Sequence, residues 1–207
     1  METISPLFPL PLVIYPNSVY SLHIFEDRYK KMIADCMHQN KSFVLVPKFE
    51  NSQSKIATSV IVTNKSNLHD DGSFDIVVKG IERVLILKQW LSEDGYEDGI
   101  VDDYADVQNQ ISEEILFEAE TVFRDVIKRS KVILEDSYWL NLESAQYKSY
   151  KIAEKSGLQL AQQIDLLMIT DETARLKYLT NHLKRLEHFM KAREAELSII
   201  MFDGYIN

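Results

Sequence analysis

Near residue 111 the hydrophobic pattern of this chain changes period, and that change limits the fold more than any other feature. Before it, short apolar runs rich in β-branched residues alternate with turn signals. Segments 19–25 (VYSLHIF), 42–46 (SFVLV), 56–63 (IATSVIVT), 74–78, 84–90 (VLILKQW) and 100–107 read as strands. Segment 7–12 is apolar but interrupted by Pro. Asp71-Gly72 marks a hairpin-type turn, and Gly80 closes the returning strand. One helix is expected among the strands, over 26–39, where Tyr29, Met32, Ile33, Cys36 and Met37 fall on one face. After residue 111, Ile115, Leu116, Ala119, Val122, Phe123, Val126 and Ile127 keep a 3.6-residue stripe. An aromatic connection over 136–140 follows, then helical patterns over 144–155 and 158–168. A last helix of more than 25 residues is expected after Thr170-Asp171, on Leu176, Leu179, Leu183, Leu186 and Met190. The fold class is α+β. A β-rich lobe over 1–110, a folded sheet or partly open barrel, precedes an all-α lobe over 111–207.

Composition narrows the function. The net charge is −9 and no dense run of Lys and Arg occurs, which disfavours nucleic acid and anionic membrane as partners. Cys36 is the single cysteine, so an intramolecular disulfide or a Cys-rich zinc site has no residues to build it. The N-terminal METISPLFPLP lacks a basic segment and a long apolar stretch, and no apolar run has bilayer length. Cytoplasm is the expected compartment.

Three clusters are candidates for chemistry. His23 and Glu26 form an H-x-x-E in LHIFEDRYKKM, but metalloprotease ligation needs a second His one helical turn away, and none is there. A strand-to-helix seam is the better reading: Glu26 accepting N–H bonds at the helix start, Arg28 paired with a carboxylate, Phe25 and Tyr29 anchored in the core. His69-Asp70-Asp71 is a weak metal candidate in a turn that would hold Asp and Gly in any case. Cys36 on an apolar helix face is expected to be a buried, inert thiol. Nucleotide loops of the G-x-x-x-x-G-K-[ST] and G-x-G-x-x-G kinds and a G-x-S-x-G elbow are not present. No catalytic residue, cofactor or metal is therefore assigned.

The order of motifs at the N-terminus is specific. Leu7-Phe8-Pro9-Leu10, then Tyr15-Pro16, then Leu22-His23-Ile24-Phe25-Glu26, Arg28, Tyr29 and Met32 resemble the opening of the N-terminal, substrate-binding domain of Lon proteases. Asp71-Gly72, the run 76–78, Gly80 and Arg83 are similar to a later part of that domain. So are Ile152-Ala153-Glu154-Lys155, Gln163, Leu166-Leu167, Arg175-Leu176 and Leu183. Asn17 stands where the family usually has Gly, and Asp27 where Pro is common.

The resemblance implies a PUA-like pseudo-barrel followed by helices. Because the motifs of the ATPase and Ser-Lys peptidase parts of a full Lon protease are not found, a stand-alone, non-enzymatic module is expected, and the resemblance implies that it binds unfolded or client polypeptides, with a separate protease or ATPase as a further partner. Pro9, Leu10, Pro16, His23, Phe25, Glu26, Arg28 and Tyr29 are then structural motif residues. Binding is expected in a cleft between the lobes or at the apolar tail Ile199, Ile200, Met201 and Phe202, which would also serve self-association. Two other readings are a small hydrolase using His23 and Glu26, and RNA binding through the PUA-like lobe.

Overall fold

A computed structural model of the chain describes residues 2–49, 52–66 and 68–203, with side chains described to residue 194. In chain order its elements are β1 (Thr3–Leu10), β2 (Val19–Ile24), α1 (Asp27–Gln39), β3 (Phe43–Phe49), β4 (Ser52–Gln53), β5 (Ile56–Ser66), β6 (Phe74–Leu91) and β7 (Glu97–Asp103). The helices α2 (Glu113–Ser130), α3 (Asp136–Ser144), α4 (Lys148–Ala153), α5 (Leu160–Met168) and α6 (Glu172–Asp203) follow. Two compact units result. The first is Met1–Val107 with Gln159–Thr170, and the second is Gln108–Leu158 with Asp171–Asn207. Residues 159–170, grouped by their helical period with the second half of the sequence, thus return to the β-rich unit, where α5 meets β3 and β5.

In the first unit, strands β1, β7, β6, β5 and β3 pair in that order, and β1 also pairs with β3. The sheet therefore closes on itself, with β2 added to β6 and β4 to β3. β1 makes the closure by changing partner along its length. Thr3 to Leu7 run antiparallel to β7, and Leu7 to Leu10 run parallel to β3. Successive strand residues face opposite sides. Leu7, Val44, Val46, Ala57, Val84, Ile86 and Val101 accordingly form one apolar cluster. Phe8, Phe43, Leu45, Val60 and Ile76 join a second, with Tyr29, Met32, Ile33 and Cys36 of α1. Both faces of β3 are covered, which is why its sequence is a continuous apolar run rather than an alternation.

The strands expected at 74–78 and 84–90 are one 18-residue strand, β6. Gly80 does not end it. A Cβ there would lie 2.2 Å from the Tyr15 carbonyl oxygen, because the 15–18 turn crosses β6 at this point. Asn17 donates its N–H to Gly80 O and Gly80 donates to Ser18 O, both at 2.9 Å. Asn17 takes φ 66°, a left-handed value that Asn tolerates. The glycine marks a close backbone approach, and the β5–β6 register shifts beside it, between Ser59 and Val60.

The second unit is helical. Ser112 caps α2, accepting from the Ile115 N–H, and Ala119, Phe123, Val126 and Ile127 are its buried face. The connection expected at 136–140 is instead the start of α3. Tyr138 and Leu142, one turn apart, are its buried pair, a pattern too short to stand out as a period. α6 runs for 32 residues. Leu176, Leu179 and Leu183 are fully buried, whereas Leu186 and Met190 are half-buried. Arg175, with no exposure, donates to Glu172 and to Ser149 Oγ, and Ser149 donates its N–H and hydroxyl to the same carboxylate. A buried charge is stable in that setting because it is paired and hydrogen-bonded.

Candidate functional site

The strand-to-helix junction shapes the site. Along β2, Leu22 and Ile24 are buried, so His23 and Phe25 fall on the opposite face by the two-residue period of a strand. Phe25 is 63% exposed and is not a core anchor, which corrects the inward orientation expected for it. Glu26 is the residue before the first turn of α1. Its backbone carbonyl accepts from Tyr29 and Lys30 N–H, but its side chain makes no capping bond. The carboxylate turns to Arg28 instead, at 2.6 and 2.9 Å, because the guanidinium fork offers two charge-assisted donors within reach. Met37, expected on the buried face of α1, is 38% exposed. Tyr29 and Met32 are buried, and the Arg28 guanidinium lies 4.7 Å from the Tyr29 ring centre.

Around this junction is an open groove of about 340 Å³. Its floor is Phe8, Leu22, Ile24 and Tyr29, and its walls include Leu10, Pro11, Leu12 and Phe25. Its polar side chains are Ser21, His23, Glu26 and the hydroxyl-bearing Tyr29. Of the motif residues, Leu10, His23, Phe25, Glu26 and Tyr29 line the groove. Arg28 reaches it through Glu26. Pro9 lies in β1 opposite Val46, and Pro16 lies in the turn that crosses Gly80. Ile199, Ile200, Met201 and Phe202 have side chains outside the described residues. Phe8, Pro11 and Leu12, part of the same groove, were not singled out as a surface, because only the fold of 7–12 against β2 brings them beside Phe25.

His23 and Glu26 do not form an acid–base pair. His23 Nδ1 is 2.7 Å from Asp75 Oδ1, and Glu26 is held by Arg28. Asp70 and Asp71 do not join His69 as ligands. Asp71 accepts the Ser73 N–H and hydroxyl, and these bonds hold its carboxyl below the usual range. His69 instead approaches Asp75, with Nε2 3.7 Å from Oδ2. Sequence reasoning missed Asp75, which is 52 residues from His23, and strand register is the signal that would have found it. Cys36 is buried, and desolvation pushes its thiol up to about 11.

The ATP-dependent protease La (LON) substrate-binding domain matches residues 4–185. The chain belongs to this family. The Lon protease of Buchnera aphidicola subsp. Baizongia pistaciae is 27% identical over 214 residues, covering 97% of this chain and 26% of that protein. The chain thus spans about a quarter of the length of this curated Lon relative. A crystal structure of a Lon N-terminal domain protein from Xanthomonas campestris superposes with a TM-score of 0.69 at 24% identity, covering 86% of this chain and 96% of that one. The N-terminal domain of a Mycobacterium avium complex Lon protease gives 0.69 at 16% identity, over 88% and 98%. Both share the Lon N-terminal fold of a sheet-rich part followed by helices. Among the described residues, no helix is long and apolar enough to cross a membrane.

Proposed function

We propose that this Lon-type domain binds unfolded or client polypeptides through the groove at the β2–α1 junction and does not itself cleave them. The observation that carries the reading is Phe25, a large apolar side chain left 63% exposed at the rim of a carbon-lined opening. Exposed aromatics beside an apolar pocket are where binding energy concentrates. An extended client segment would place alternate apolar side chains between Phe25 and Leu12. The family description supports the binding role, and the pairing of Glu26 with Arg28 and of His23 with Asp75 argues against a His23–Glu26 hydrolase. A separate protease or ATPase would act on what the module holds. Cytoplasm is the compartment this reading assumes.

The test is fluorescence anisotropy with a labelled, permanently unfolded protein such as reduced, carboxymethylated lactalbumin. Saturable binding is expected, weakened about tenfold by Phe25→Ser with melting temperature unchanged. Absence of binding at about 100 μM would overturn the function. Binding equal to wild type in both Phe25→Ser and Leu12→Ser would overturn the groove.

A further inference from the structure

We propose that His23, His69 and Asp75 form a binding site for a divalent transition-metal ion of the imidazole-binding kind, with Zn²⁺ as the probe. The three residues offer ligand atoms that all lie within 4.8 Å of one another. The carboxylate presents one oxygen to each imidazole. Asp75 Oδ1 is 2.7 Å from His23 Nδ1 and Oδ2 is 3.7 Å from His69 Nε2. The two rings meet edge to face, with centres 5.3 Å apart.

The backbone sets this arrangement twice over. His23 and Asp75 are direct cross-strand partners of β2 and β6, so their side chains share one face. His69 is placed by a tight turn of its own. Its N–H donates to Ser73 O at 2.8 Å, its carbonyl accepts from Gly72 at 2.9 Å, and Asp71 holds Ser73. Two ligands therefore stand on a sheet and the third on a braced hairpin turn, the rigidity that a ligand set needs.

Two imidazoles and one carboxylate suit zinc, cobalt and nickel rather than calcium or magnesium, which take oxygen shells. Zinc bonds of about 2.0–2.2 Å in tetrahedral geometry put neighbouring donors roughly 3.4 Å apart. The two carboxylate–imidazole spacings, 2.7 and 3.7 Å, lie on either side of that value, and all three ligand atoms lie within 4.8 Å of one another. Three protein ligands leave a fourth position to water or to a donor from a bound partner. The side chains of His23, His69 and Asp75 are 50%, 46% and 31% exposed, so a modest, reversible affinity is expected rather than a structural ion.

The experiment is a calorimetric titration of the chelator-treated protein with Zn²⁺ at neutral pH, repeated on His69→Gln, Asp75→Asn and His38→Gln. One ion per chain is expected, at a dissociation constant of roughly 1–100 μM. His69→Gln and Asp75→Asn should each weaken binding at least about tenfold, a difference of about 1.4 kcal/mol. His38→Gln, on α1 away from the cluster, should bind as wild type. Unchanged binding in a folded His69→Gln protein, or no saturable binding by wild type, overturns the site. His69 is exposed in a turn, so that variant keeps the test decisive if Asp75→Asn fails to fold. No polypeptide is needed, so the outcome is independent of the groove.

Discussion

Arg83 donates to the carbonyl oxygen of Leu167 at 2.7 Å, although 84 residues separate them. The same guanidinium reaches Ile169 O at 2.7 Å and pairs with Asp106. Arg83 is thus a C-terminal cap for α5, supplied from β6. Arg83→Ala removes a donor from two carbonyls and from a buried carboxylate. A loss of about 3–5 kcal/mol is expected, read as a lowered urea midpoint. Arg83→Lys should recover only part of it, because a point charge cannot serve three acceptors in a plane. Equal midpoints for wild type and Arg83→Ala would refute the clasp.

Gly80→Ala tests the crossing of the 15–18 turn over β6. Its Cβ would sit 2.2 Å from a backbone oxygen, which no side-chain rotation relieves. A destabilisation of about 1–3 kcal/mol or more is expected, or roughly 2–4 °C of melting temperature per kcal/mol. A melting curve matching wild type would show that the turn has room to shift.

Asp171 is the cap of α6 and gives the chain a defined acid response. It accepts the Asn109 side-chain amide and the Ala174 N–H, both at 2.7 Å, and these bonds hold its carboxyl below the usual range. A depressed value stabilises the fold above the ordinary carboxylate range, and the contribution fades as pH falls through the depressed value. Asp171→Ala should cost about 1 kcal/mol at neutral pH. The gap in melting temperature between the two proteins should narrow on acidification, and a gap independent of pH would rule out the charged cap.

Cys36 should resist modification in the native state. With the thiol near 11 and the side chain buried, little thiolate is available at pH 8. Labelling by a disulfide reagent is expected to be slow in buffer and complete in denaturant. Prompt native labelling would mean that α1 opens readily.

The elements legible in the sequence are those whose signal is local. The α2 stripe, the long α6 and the β-branched runs of β3 and β5 carry their period within a few residues. What was not legible depends on partners far away in the chain. Gly80 looked like a strand end because its neighbour, Tyr15, comes from another segment. Phe25 looked like core because it ends a strand pattern rich in apolar residues, and only the buried Leu22 and Ile24 show which face it takes. The groove needs 7–12 folded against β2, and the His23–Asp75 pair needs strand register. Residues 159–170 have a helical period that says nothing about which unit they pack on.

The return of 159–170 also bears on the order of synthesis. The closed sheet is complete in sequence at β7, before any helix of the second unit has been made. Yet the carbonyls that Arg83 holds belong to residues translated much later. A nascent chain released as far as β7 carries a finished barrel with an uncovered flank, and it can be sealed only after α2, α3 and α4 have been made.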